Sequence, residues 1–154
     1  MSLRKACSGS LEHINPGWQM RTNFAGTSPY EPVIGFSRAV LVGNTLYVSG
    51  TGPVGADGSD VTTQTRHVLG ILKSVLAQAG FMLEHVVRTR IYLTDAEDWR
   101  AVGCVHGEFF GAIRPAATMV VVARLLHPAW RVEIEADAVR PDRQQDASTL
   151  NTGS

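Results

Sequence analysis

Two amphipathic stretches, each set between β-rich runs, constrain this chain more than any other feature. After Asp60, a residue suited to N-capping, VTTQTRHVLGILKSVLAQAG puts Val68, Leu69, Leu72, Val75 and Leu76 at helical spacing and stops at Gly80. Asp95 caps a second helix whose first turn carries Glu97 and Asp98, where negative charge suits the helix dipole. Its stripe is Trp99, Val102, His106, Phe109 and Phe110, and it ends near Gly111. Helices placed this way are crossovers between strands of one sheet.

The strands fill the remaining stretches. Ser37–Val42 and Thr45–Ser49 flank Gly43-Asn44, a two-residue loop that closes hairpins. In His85–Thr94, Val87, Thr89, Ile91 and Leu93 alternate with Arg88, Arg90 and Tyr92, predicting one core face and one charged face. Arg114-Pro115 leads a β-branched run ending at Leu125 and predicts a buried strand, with Val120–Val122 its committed part. Arg131–Val139 alternates again, and Leu126–Ala129 is expected to join these last two strands as a hairpin. The predicted fold is α+β, in the order β-β-α-β-α-β-β. Two helices cover one sheet face only. The other face, offering Val121 or its neighbours with Arg90, Tyr92 and Glu133, calls for a second cover, which identical subunits would supply with clefts at their junctions.

A chain of 154 residues, 44% hydrophobic and 18% charged, suits one domain. We expect an irregular N-terminal segment over 1–26, a single domain over 27–140 and a disordered tail over 141–154. Fourteen basic and fourteen acidic side chains cancel, which argues against a nucleic-acid partner. Cys7 and Cys104 lack ligand spacing and fit reduced thiols in a cytoplasm. The opening residues lack the apolar run of a signal peptide, and no apolar stretch is long enough for a membrane. His13, His67, His85, His106 and His127 share no metal spacing, so no metal and no cofactor is expected. Gly50-Thr51-Gly52-Pro53-Val54-Gly55 matches G-x-G-x-x-G, but Pro53 removes a donor and another turn follows, so a plain loop is expected. Ser28–Pro32 reads as turn structure, with a fold over a cleft as its alternative. No G-x-S-x-G elbow is present.

Several motifs together resemble the reactive-intermediate deaminase (Rid) family, also called YjgF-like or, in older usage, endoribonuclease L-PSP. They are Gly35-Phe36-Ser37-x-Ala39-Val40, Gly43-Asn44-x-Leu46-Tyr47-Val48-Ser49-Gly50, Gln64, Ala79-Gly80, Val86-Val87-Arg88 and Tyr92-Leu93-Thr94-Asp95, followed by Phe109-Phe110, Arg114-Pro115-Ala116, Val122–Leu125 and Val132–Glu135. Their order and spacing over about Ile34 to Arg140 carry the resemblance. It implies a chorismate-mutase-like protomer in a homotrimer, with three clefts between subunits. The reaction it implies is hydrolysis of enamine or imine intermediates to 2-keto acids and ammonia.

The resemblance also implies an arginine directly after Pro-Ala, gripping the substrate carboxylate with its planar fork. Ala117 stands there. Phe36 stands where an aromatic hydroxyl is common, and Met119 where a cysteine often is. Ser49 and Glu133 match positions that approach the ligand and its attacking water, although Ser49 also reads as turn chemistry and Glu133 as an exposed strand carboxylate. For the missing cation, Arg90 and Arg114 are candidates. Arg90 reads equally as a structural ion pair with Glu133 or Glu135. Phe36, Ser49, Arg90, Arg114, Ala117 and Met119 are therefore the expected ligand-binding residues, with Glu133 catalytic. Three functions follow: hydrolysis of an imine or enamine with a rearranged anchor, trimeric binding of a small carboxylate or carbonyl metabolite without turnover, and ribonuclease or translation-inhibitor activity, which neutral charge disfavours.

Overall fold

The computed structural model describes residues 20–141; Cys7, His13 and the expected tail beyond Pro141 lie outside them. The elements are β1 (Arg21–Phe24), β2 (Ala39–Val42), β3 (Thr45–Thr51), α1 (Val61–Gln78), β4 (Val86–Leu93), α2 (Trp99–Phe110), β5 (Ala116–Val121) and β6 (Val132–Val139). The six strands form one mixed sheet in the order β1-β2-β3-β6-β4-β5. The core is built from the inward rows of the sheet and the facing sides of α1 and α2.

Local chemistry explains the helices. Asp60 accepts the Thr63 backbone N–H at 3.0 Å and so caps α1, while Gly80 just past its end has φ +76°, a conformation costly for any residue with a Cβ. Val68, Leu69, Leu72, Val75 and Leu76 are all buried, as the spacing predicts. In α2, Val102, Val105 and Phe110 carry the packing, whereas Trp99 stands in solvent with Arg100 over its ring. Trp99 departs from the expected stripe, being the first residue of α2 after a short turn, Ala96–Asp98.

Three strand expectations need correction. The last two strands are not a hairpin: β6 runs antiparallel between β3 and β4, and β5 pairs only with β4, parallel to it. Burial is the reason. Val132, Ile134, Ala136 and Ala138 are at most 1% exposed, as suits a central strand beneath the helix layer, and the stretch from residue 122 to 131 is long enough to cross over. β5 is consequently a sheet edge rather than a buried strand, with Val120 42% and Val121 54% exposed. In β4 the register shifts between Val86 and Arg88, so Val86 is buried and Val87 exposed, while Thr89, Ile91 and Leu93 face the core as expected. Residues 21–24, expected to be irregular, form the edge strand β1 against β2.

Among the described residues no helix is long and apolar enough to cross a membrane. No group of three or more His, Cys, Asp or Glu could hold a metal ion there. Gly50 lies within β3, and α1 does not begin until Val61, so no helix opens on the glycine-rich run.

Candidate functional site

The sheet face without helices carries Ser49 and Glu133. It is most constrained where β3 meets β6, because the pairing slips between Val48 and Thr51 and leaves Ser49 and Gly50 as a bulge. The Ser49 hydroxyl donates to the Ser37 carbonyl at 2.7 Å, and the buried Thr51 hydroxyl donates to the Ser49 carbonyl at 3.0 Å. The Glu133 carboxylate lies directly over Gly50, so that any Cβ there would collide with it. A side chain at position 50 would displace the Glu133 carboxylate, so the glycine preserves the placement of Glu133.

Glu133 owes its position to the start of β6. The buried Gln64 amide donates to Ser59 and Ala129 carbonyls at 3.1 and 2.8 Å, and its oxygen accepts the Arg131 N–H at 2.8 Å. Arg131 in turn grips the buried Asp98 with two bonds of 2.9 and 2.7 Å. Two residues later the strand delivers Glu133 to the open face, between fully buried Val132 and Ile134. Burial pushes the Glu133 carboxyl above its ordinary value, and Glu135 adds to the rise, while Arg38 opposes it. A carboxylate raised in this way holds its proton more tightly than an exposed one.

The cation beside Glu133 is Arg38, which the sequence reading passed over as the variable position of its motif. Arg38 precedes β2, and its Nη2 donates to the Ser49 and Gly50 carbonyls, both at 2.7 Å. Desolvation lowers its pKa, with Glu31 and Glu133 opposing. Glu31 begins a single wide turn, Glu31–Gly35, and its carboxylate accepts the Gly26 N–H at 3.0 Å. That bond draws residue 26 against the Arg38 stem. The signal available was alternation: Arg38 shares a parity with Val40 and lies opposite the core-facing Ala39. Phe36 follows the wide turn in extended conformation, half-exposed, two residues before Arg38.

The other expected residues lie elsewhere. Arg90 donates to Glu135 at 2.9 Å and lies 3.3 Å from Asp137, a cross-strand ion pair that raises its pKa. Ala117 aligns with Thr89, and Met119 with Ile91, on edge strand β5. Two strands separate β5 from β3, so one chain holds Ala117 roughly 14 Å from Ser49 at about 4.8 Å per strand. Arg114 is exposed with φ 57°, a strained left-handed conformation just before Pro115. His106 contacts the Thr89 hydroxyl at 3.0 Å and packs on Phe110, with its pKa lowered by burial, in the layer between α2 and the sheet. An open groove along α1, lined by residues such as Arg66 and His67, is far from these groups.

Comparison with known proteins places the chain in a family. The family model described as Endoribonuclease L-PSP matches residues 26–140. The chain belongs to this family. Relatives include the protein SCO2049 of Streptomyces coelicolor, 35% identical over 73% of this chain and 87% of that protein. The RutC family protein PH0854 of Pyrococcus horikoshii is 34% identical, covering 71% of this chain and 90% of the relative. Among solved L-PSP folds, Rv2704 of Mycobacterium tuberculosis, a member of the YjgF/YER057c/UK114 family, is 46% identical with TM-score 0.74, covering 79% of this chain and all of that one. E. coli TdcF, crystallised with bound serine, is 28% identical with TM-score 0.66, covering 77% of this chain and 94% of TdcF. The chain is thus a YjgF/Rid-type protein of the small-molecule-binding kind, with the mixed α+β fold of its relatives.

Proposed function

We propose that this protein hydrolyses a small imine or enamine carrying a carboxylate, in clefts between the subunits of a homotrimer. One observation carries the reading: the half-buried Glu133 carboxylate, its pKa raised by burial, lies directly over Gly50 beside the Ser49 bulge. A water held by Glu133 adds to the C=N carbon, the nitrogen gains the protons that the water gives up, and ammonia leaves to give the 2-keto acid; an enamine first takes a proton at carbon to become the imine. Phe36 walls the site, with Met119 and Ala117 brought from a neighbouring subunit. The separation of β5 from β3 supports this division, since one chain does not bring the two groups together. The exposed edge strand, with Val120, Val121 and the exposed Tyr47 of β3, supports self-association. Serine bound to TdcF, a small molecule with one carboxylate, supports the ligand class. Cys104, a free thiol, supports action in the cytoplasm.

Non-catalytic binding of such a metabolite is the second reading, favoured by Ala117 in place of the arginine. Generating 2-aminoacrylate in situ and following keto-acid release separates the two. Acceleration is expected for the natural protein; activity only in Ala117→Arg would leave the binding reading standing and remove the hydrolytic one. A protomer-sized mass in solution would remove the intersubunit cleft.

A further inference from the structure

The arginines of this structure differ in how they are completed. Arg66, Arg90 and Arg131 each lie against a carboxylate, at 2.8, 2.9 and 2.7 Å from Glu108, Glu135 and Asp98. Arg38 is partly withdrawn from solvent, yet no carboxylate among the described residues comes within ion-pair distance of it. Its Nη2 is committed to the Ser49 and Gly50 carbonyls, its Nη1 makes no hydrogen bond within the described chain, and its buried Nε–H has no acceptor. A guanidinium has five N–H donors, and leaving a buried one unmatched is unfavourable. The Nε–H is buried beyond the reach of a ligand, so Nη1 is the edge of the guanidinium left open to one.

The surroundings define that ligand. The guanidinium and the Glu133 carboxylate border the same peptide, Ser49-Gly50, one by hydrogen bonds and the other by lying on the glycine. An anion on Arg38 would therefore have its adjacent carbon close to Glu133. In a 2-oxo or 2-imino acid the carboxylate and the electrophilic carbon are directly bonded, which matches this pairing. A dianion such as phosphate would bring more negative charge against Glu133 and is disfavoured.

We propose that Arg38 is the anion-binding residue of this site, selecting small 2-oxo and 2-imino monocarboxylates and standing in for the arginine that position 117 lacks. The proposal rests on the cleft at Ser49 and Glu133 being the ligand site. It assigns Arg90 to the ion pair with Glu135 and gives it no part in ligand binding.

The test is calorimetric titration of the full chain with pyruvate and with its uncharged methyl ester, on the natural protein and on R38Q, R38K and R90Q. Pyruvate is expected to bind, with the ester about 30-fold weaker, R38Q about 30-fold weaker for pyruvate, and R90Q within about twofold of the natural protein. R38K keeps the charge and can still reach the carbonyls but loses the planar fork, so a loss of about tenfold is expected even if R38Q fails to fold. Circular dichroism confirms folding of each variant. Unchanged pyruvate affinity in folded R38Q or in R38K, equal affinity for acid and ester, or a loss confined to R90Q would each overturn the role of Arg38 while leaving the ligand cleft in place. Absence of binding of either compound to the natural protein at millimolar concentration would remove both the cleft and the anchor.

Discussion

The start of β6 and the start of β2 present two arginines solved in opposite ways. Arg131 closes a network in which Gln64, Asp98 and the Ala129 carbonyl all find partners. Arg38 holds two carbonyls and leaves Nε–H without an acceptor, beside a carboxylate whose pKa is raised. The satisfied network belongs to the scaffold, and the unsatisfied one faces the open side of the sheet. Polar groups that complete each other fix a position, whereas groups left incomplete keep capacity for a ligand.

The contrast predicts a ranking of stability effects. Asp98→Ala leaves Arg131 without its partner at the buried end of the network and should destabilise by about 3 kcal/mol in urea denaturation, the largest effect of the series. Gln64→Leu strands the Arg131 N–H and the Ala129 carbonyl and should lower stability by about 2 kcal/mol, with keto-acid release falling as Glu133 loses its placement. Gly50→Ala pushes the Glu133 carboxylate aside, so activity should fall about tenfold while stability falls by only about 1 kcal/mol. Arg38→Met should change stability least, within about 1 kcal/mol, because an apolar stem replaces an incompletely paired cation. A large loss in Arg38→Met would erase the distinction between the two regions.

A pH series sharpens the same comparison. The folded state holds the Glu133 proton above the ordinary value of 4.5, chiefly through burial, so folding favours the protonated form. The stabilisation is full below 4.5 and is lost as pH rises through the raised value. Glu133→Gln cannot lose a proton, so its melting temperature relative to the natural protein should rise over that window and then level off. A difference that does not change with pH would show that burial does not perturb Glu133.

Much of this architecture was legible because it is local. The 3.6-residue spacing of Val68, Leu72 and Val75, the Asp60 cap, and the alternation through Ile91, Leu93, Ile134 and Ala136 each depend on neighbours in the chain. What escaped depends on distant partners. The insertion of β6 between β3 and β4 is decided by which strand is buried beneath the helix layer, and the bulges at Val87 and at Ser49-Gly50 are decided by the strand across. Glu133 and Ser49 could be singled out from motifs, and the structure brings them together at Gly50. For Arg38 alternation gives only the face of the sheet, because nothing in its own stretch tells that it would be half-buried, without a carboxylate at ion-pair distance and next to Glu133.

The central claim is that Glu133 acts on a bound imine, and the most direct measurement is keto-acid release from 2-aminoacrylate generated in situ, with the natural protein compared with Glu133→Gln. The account predicts acceleration by the natural protein and a fall of about 100-fold in kcat/KM in the variant, with the fold retained. Equal rates for the two proteins, or no acceleration by the natural protein, would contradict it.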